Sequence, residues 1–140
     1  MATCSFIREK KQTAGAMGGV LRYVAQEQKT VDTDGTRYLT GINCAADLAY
    51  QSFLATKNLY GKASGTWFYH YVQSFSPQEP ISFAEAHQIA LELAERFFPG
   101  CEVLVATHVD AEHPHSHFVV NSVHPDTGKS STSRPKPWSR

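Results

Sequence analysis

Residues 108–121 read HVDAEHPHSHFVVN, and they contain four of the seven histidines in this chain of 140 residues. Successive side chains of a β-strand point to opposite faces, so a strand that begins at residue 115 places His115, His117 and Asn121 on one face. A preceding strand can deliver His108 beside them across a short acidic turn. The spacing therefore predicts that three imidazoles converge on one point.

Three converging imidazoles predict a divalent-metal site with His108, His115 and His117 as ligands. Neutral imidazole nitrogens bind first-row divalent ions, and three protein ligands leave positions open for water or a substrate oxygen. The greater abundance of Mg²⁺ or Mn²⁺ in cells favours one of these ions, whereas the affinity of imidazole alone favours Zn²⁺, Ni²⁺ or Co²⁺. The alternative interpretation is a surface histidine patch with adventitious affinity for metal.

Two other residues of this segment are candidates for supporting roles. Asp110 could accept the second ring hydrogen of a ligand histidine, bind a metal water or act as the general base, and it could equally be a turn residue. His113 is followed by Pro114, which interrupts the strand. We therefore expect His113 to orient a ligand or contact a phosphate rather than to bind the ion.

Hydrophobic patterns on the N-terminal side of this segment alternate between strand and helix. Residues 66–75 are rich in aromatic and β-branched side chains, with His70 and Ser74 on one face and Tyr71 and Gln73 on the other. Ser82 and Glu85 form a capping box at the start of a helix. Strands are predicted at 2–8, 36–43, 66–75, 101–109 and 115–123, and helices at 17–24, 45–59 and 82–98. The pattern predicts one α+β domain.

Composition limits the classes of protein that fit. The net charge is zero, which argues against a nucleic-acid binder that works by charge alone. The charges are unevenly spread, however, with six Lys and Arg against four acids in residues 1–40, three against eight in 41–112, and four against one in 113–140.

No stretch is apolar enough for a signal peptide or a membrane span, so we expect a cytoplasmic protein. Residues 130–140 lack periodicity and are predicted to be a flexible tail or a truncated continuation.

The histidine segment matches the pattern H-x-D-x-x-H-x-H-x-H-x-V-x-N at every fixed position. In this it resembles the relaxase/mobilisation nuclease family (MOBP-like mobilisation relaxases) of the HUH endonuclease superfamily, named for two histidines that flank a hydrophobic residue. Ser116 occupies that middle position here, which is a departure. Residues 21–30 and 69–75 are similar to the family's nucleophile segment and central strand. The resemblance covers residues 1–129 as one domain and implies a central antiparallel sheet of about five strands with flanking helices.

The resemblance implies a bacterial enzyme that nicks origin-of-transfer DNA of a conjugative or mobilisable element. Tyr23 would attack the scissile phosphate and form a 5′-phosphotyrosine bond, whereas core packing is the alternative role for this side chain. A bound cation that polarises the phosphoryl oxygens would assist the attack. The implied partners are single-stranded origin DNA, accessory relaxosome proteins and a secretion coupling protein. The residues implied to contact DNA or to orient the ligands are Arg22, Lys29, His70, Gln73, Ser74, His113 and Asn121.

Three rival interpretations stay open at the level of sequence. A rolling-circle replication initiator or transposase would use the same metal and nucleophile, but its tyrosine follows the histidine strand, whereas Tyr23 precedes it. A cupin-like metal module would need a further ligand on a distant strand and no tyrosine. A truncated relaxase domain would bind metal and DNA without catalysis.

Overall fold

The five predicted strands form one antiparallel sheet in the computed structural model of the protein, which describes residues 2–62 and 64–130. The strands are β1 (Ala2–Ile7), β2 (Leu39–Ile42), β3 (Phe68–Phe75), β4 (Val103–His108) and β5 (His115–Asn121). Their order across the sheet is β1-β3-β5-β4-β2, and each neighbouring pair is antiparallel. The predicted α+β class is confirmed, and the histidine-bearing strand β5 lies at the centre of the sheet.

The helices begin and end close to the predicted positions. They are α1 (Ala14–Val24), α2 (Glu27–Thr30), α3 (Ala49–Leu59) and α4 (Phe83–Phe97). The predicted helix over 45–59 begins instead with a 3₁₀ turn, Ala46–Leu48. The single turn α2 was not predicted, because four residues carry no readable helical period. The capping box is confirmed, since the Ser82 hydroxyl accepts from the Glu85 amide at 3.0 Å and the Glu85 side chain accepts from the Ser82 amide.

Two apolar cores lie on opposite faces of the sheet. Helices α1 and α3 cover one face, where Met17 and Phe53 pack against Leu104 and Val119. Helix α4 covers the other face, where its alanines pack against Tyr71 and the other strand side chains that point away from α1 and α3. The two-residue period of the strands thus correctly predicts which side chains share a face.

Backbone hydrogen bonds attach the segment after α1 to the end of β4. The amide of Val109 donates to the carbonyl of Lys29 at 2.6 Å, and the amide of Thr107 donates to the carbonyl of Tyr38 at 3.0 Å. These bonds bring the end of α1 and the turn α2 to the edge of the sheet where the histidine strands meet.

The C-terminal segment predicted to be a tail lies mostly outside the described residues. Ser130, its first residue, forms an antiparallel bridge with Val123. Residues 131–140 are not described. Within the described ranges, no helix combines the length and the apolar character that a bilayer crossing requires.

Candidate active site

The antiparallel pairing of β4 and β5 brings the three predicted ligand histidines onto the sheet face that α1 covers. His108 pairs directly with His115, and Ala106 pairs with His117. The ring centroids of His108 and His117 are 4.2 Å apart. His108 is buried, whereas His115 and His117 are partly buried. The structure thus places the three histidines on one face and brings the rings of His108 and His117 into contact, while convergence of all three on one ion stays a prediction.

A fourth imidazole, from His70 on β3, joins this group. Its Nε2 lies 2.9 Å from Nδ1 of His117, and its Nδ1 lies 2.8 Å from a carboxylate oxygen of Glu9. Sequence reasoning named His70 as a residue that contacts DNA or orients a ligand, but it missed Glu9. Glu9 and His70 are separated by 61 positions in the sequence, and no local pattern reveals that β1 and β3 are neighbours.

Tyr23 lies at the rim of the histidine group. The side chain is 50% exposed, and its ring meets the ring of His108 edge-on at a centroid distance of 6.4 Å. The next residue, Val24, accepts a hydrogen bond from Nε2 of His108 at 3.0 Å. This bond ties the last turn of α1 to β4 and holds the exposed tyrosine beside the cluster.

Lys29 connects Asp110 with Tyr23. The ammonium donates to the Asp110 carboxylate at 3.1 Å and lies 5.1 Å from the centre of the Tyr23 ring. The hydrogen bond with Asp110 raises the pKa of Lys29. Desolvation opposes ionisation of Asp110, but the hydrogen bond and the charge of Lys29 outweigh it, and the pKa of Asp110 falls below its usual value. Both groups are therefore charged near neutral pH.

Two of the predicted DNA-contacting residues, Ser74 and His113, lie near the histidine strands, whereas Arg22 does not join them. Arg22 is exposed and lines a separate cavity of about 290 Å³ with Gly18 and Tyr50. Ser74 pairs with His115 across β3 and β5 and is partly buried. His113 is partly buried in the loop between β4 and β5, with Nε2 3.9 Å from a Glu112 carboxylate oxygen.

Two of the predicted contact residues are placed elsewhere. Gln73 is only 3% exposed, and it lies on the opposite face of the sheet from the histidines. Asn121 shares the histidine face but is 2% exposed, and its amide is held by Lys57 at 2.6 Å and by Glu102 at 2.9 Å. Burial lowers the pKa of Lys57 to about 8. The structure thus does not bring Gln73 or Asn121 to the surface that DNA would touch.

A second histidine network lies behind the site, under α4. His87 is joined through Nδ1 to the Thr107 hydroxyl at 2.8 Å, and Thr107 is joined to the Ser116 hydroxyl at 2.9 Å. Thr107 precedes His108, and Ser116 separates His115 from His117. The polar residue in the middle of the histidine pair is therefore a fully buried, hydrogen-bonded group, which accounts for its departure from the superfamily pattern.

Residues 23–138 match the family described as "Relaxase: MobA/VirD2-like, nuclease domain". The chain belongs to this relaxase family. A protein named "Protein rlx" from Staphylococcus aureus is 42% identical over 97 residues, which are 69% of this chain and 30% of that protein. The "Group II intron-interrupted relaxase LtrB" of Lactococcus lactis is 32% identical over 114 residues, covering 64% of this chain and 20% of that protein. The chain thus spans less than a third of the length of these relatives.

The histidine group carries nitrogen donors of the kind that bind a divalent ion. Burial, reinforced by neighbouring His108, His70 and His115, lowers the pKa of His117 to about 2, and burial also lowers the pKa of His108. Both rings are therefore neutral at pH 7, as ligands must be. The His108 and His117 rings are tilted by only 33°. Among the described residues, no three His, Cys, Asp or Glu side chains already surround one ion position. The donors fit the ion, and ring rotation would have to complete the coordination.

Proposed function

We propose that this relaxase domain nicks one strand of origin-of-transfer DNA in a metal-dependent transesterification with Tyr23 as the nucleophile. The observation that carries the proposal is the position of Tyr23, half exposed and beside His108 at the edge of the histidine group. This arrangement would give a DNA strand access, at one place, to the nucleophile and to the open coordination positions of a bound ion.

The covalent step exchanges one phosphate ester for another. The Tyr23 oxygen forms a bond to phosphorus, the bond from phosphorus to the 3′-oxygen breaks, and the 3′-oxygen takes up a proton. The product is a 5′-phosphotyrosine with a free 3′-hydroxyl. Because the ester is conserved, the reverse attack by a 3′-hydroxyl rejoins a strand and regenerates the tyrosine.

The histidines would hold the divalent ion that these relaxases need, and Mg²⁺ or Mn²⁺ is our candidate. When bound, such an ion polarises the phosphoryl oxygens and stabilises their developing charge. His108, His115 and His117 would supply the nitrogen donors. Because Nε2 of His108 donates to the carbonyl of Val24, Nδ1 is the nitrogen that this ring would offer to the ion. Zn²⁺, Ni²⁺ and Co²⁺ would bind the same nitrogens more tightly than either.

Lys29 and Asp110 act on the nucleophile together. Lys29 lies over the Tyr23 ring, so its charge would stabilise the negative charge that develops on the tyrosine oxygen. Asp110 holds this lysine through their hydrogen bond. Because Asp110 reaches Tyr23 through Lys29, we assign it the role of positioning Lys29. The proton that leaves Tyr23 when the new ester forms would pass to water beside this half-exposed side chain.

The DNA strand would cross the rim formed by the end of α1 and the loop between β4 and β5. Lys29 supplies positive charge there, and His113 and Ser74 supply hydrogen-bonding groups beside the ligands. Arg22, exposed at the position of α1 that precedes Tyr23, would extend the positive surface along that helix. Phosphate contacts of this kind set the register of the strand without reading its sequence. Accessory relaxosome proteins and a secretion coupling protein complete the set of partners that we propose.

A covalent-adduct assay tests the proposed function. The chain is incubated with labelled single-stranded oligonucleotides that carry the origin sequence and with Mn²⁺ or Mg²⁺, and adducts are resolved on denaturing gels. Wild type and the control Tyr38→Phe are expected to form the adduct, whereas Tyr23→Phe forms none. An adduct with Tyr23→Phe would mean that another residue is the nucleophile. No adduct with wild type would favour a domain that binds metal and DNA without catalysis.

A further inference from the structure

Glu9 lies where the first strand meets the histidine site. Strand β1 ends at Ile7, which pairs with His70 on β3, so the next two residues carry the chain past the His70 side chain. The Glu9 carboxylate lies 2.8 Å from Nδ1 of His70, and the Glu9 side chain is 28% exposed. His70 itself is 5% exposed. The contact is thus a short hydrogen bond to a buried ring.

This hydrogen bond determines which nitrogen of His70 carries the proton. An ionised carboxylate only accepts hydrogen bonds, so the nitrogen that faces Glu9 must be an N–H group. A neutral imidazole has one such group, and Nε2 of His70 is then an acceptor. The atom 2.9 Å from it is Nδ1 of His117, which must therefore be the donor.

The proton on Nδ1 leaves Nε2 of His117 with an unshared electron pair. The opposite arrangement, in which His70 donates to His117, would put the proton of a neutral His117 on Nε2 and block that atom. The partner of one ring nitrogen thus decides whether the other can bind a metal. The chain from Glu9 through His70 to His117 is oriented in the direction that favours metal binding.

We propose that Glu9 is a positioning residue for the metal site, which sets the tautomer and orientation of His117 through His70. The inference rests on the proposed metal-dependent function and adds a residue that the histidine motif does not contain. Without Glu9, the His70 proton is free to move to Nε2, where it opposes the tautomer that His117 needs. Residues that orient metal ligands typically change metal affinity by about 10- to 100-fold.

Metal titration tests this role in the intact chain. Isothermal titration with Mn²⁺ is expected to show binding to Glu9→Ala that is about 10- to 100-fold weaker than to wild type. Glu9→Gln retains a side-chain oxygen that accepts from His70, so it should recover most of the affinity. Glu112→Ala removes the same charge from a 93% exposed side chain near the site and should bind within about twofold of wild type.

A measurement without metal separates positioning from general stability. Long-range ¹H–¹⁵N correlation spectra of the metal-free protein report which ring nitrogen of each histidine carries the proton. In wild type and Glu9→Gln we expect His70 and His117 to be protonated on Nδ1, and in Glu9→Ala we expect a mixture of tautomers. If Glu9→Ala does not fold, the Glu9→Gln spectrum still tests the assignment, and His117 protonated on Nε2 there would overturn it.

Failure of this inference can be distinguished from failure of the proposed function. If His117→Ala loses Mn²⁺ binding while Glu9→Ala binds within twofold of wild type, the role of Glu9 is wrong and the metal site stands. If wild type binds no Mn²⁺, the metal-dependent function and the role of Glu9 in it are both wrong. An adduct assay that fails while Glu9→Ala weakens metal binding leaves the positioning role supported and rejects the nicking activity.

Discussion

Two histidine networks lie on opposite faces of the same two strands, β4 and β5, and they differ in access. Under α4, His87 is 9% exposed, and both of its ring nitrogens are within 2.8 Å of threonine hydroxyls, from Thr40 and Thr107. On the α1 face, the ring of His108 meets the half-exposed Tyr23, and the cluster is open at that rim.

The difference teaches that a lowered pKa does not by itself distinguish the proposed metal ligands from the other buried histidines of this protein. Burial lowers the pKa of His87 to about 4, and the pKa of His117 falls to about 2 mainly for the same reason. Both rings are therefore neutral at pH 7. What separates them is whether a ring nitrogen can still accept a ligand and whether a substrate can reach it.

The largest effect is expected from a substitution in the open network, the histidine cluster on the α1 face. His117→Ala should reduce the initial rate of adduct formation on the order of 10³-fold, because it removes a ligand of the ion that stabilises the transition state. In contrast, His87→Ala should change this rate by less than about tenfold in protein that remains folded, since His87 lies on the opposite face of the sheet from His117. Single-turnover rates at fixed Mn²⁺ check both. Equal losses for the two variants would contradict the functional distinction between the faces.

The closed network should make stability depend on pH. Unfolded His87 takes up a proton near its usual pKa of 6.5, but the folded ring does so only near 4. The unfolded state therefore gains the proton first, and stability falls as the pH drops from about 6.5 towards 4. The loss from His87 is roughly 3 kcal/mol. Urea unfolding at pH 7 and pH 4.5 should show a clearly smaller loss for His87→Gln, and an unchanged loss would contradict this cause.

A smaller effect is expected at the edge of the open network. Lys29→Met should slow adduct formation about tenfold, because it removes the charge that lies over Tyr23 and frees Asp110. Lys62→Met removes the same charge three residues beyond the end of α3 and serves as the matched control. Rates within twofold of each other for the two variants would exclude Lys29 from the reaction.

The smallest effect is expected at Gln73, which lies on the closed face. Gln73→Met should leave DNA affinity within about twofold, since the side chain is only 3% exposed. Its Oε1 accepts no hydrogen bond from the described residues, so the substitution should raise the free energy of unfolding by up to about 1 kcal/mol. Anisotropy titrations with labelled oligonucleotides and urea unfolding measure the two effects. A tenfold loss of affinity would restore Gln73 as a DNA contact.

Much of the fold could be predicted from local patterns. The two-residue alternation of residues 68–75 correctly separates His70 from Gln73, and the capping box marks the start of α4. The order of the strands could not be predicted, because each strand pairs through backbone groups that all residues share. The central position of β5, between β3 and β4, therefore emerges only from the packed sheet.

The candidate site divides in the same way. The spacing of His108, His115 and His117 sets their common face, and the pairing of β4 with β5 places His108 opposite His115. The spacing says nothing about burial, and the motif residue Asn121 is held in the interior by Lys57 on α3 and by Glu102. A motif position is thus compatible with either a contact or a structural role until its surroundings are known.

The sequence by itself determined the histidine motif, the faces of the strands and the resemblance to relaxases, because these depend on spacing along a single segment. Only the tertiary structure decided that Tyr23 lies beside His108, that Lys29 links it to Asp110 and that Glu9 reaches His70. These contacts join residues that are far apart in the chain. They exist because the apolar faces of α1 and the sheet pack together and because β1 pairs with β3, which no local period encodes.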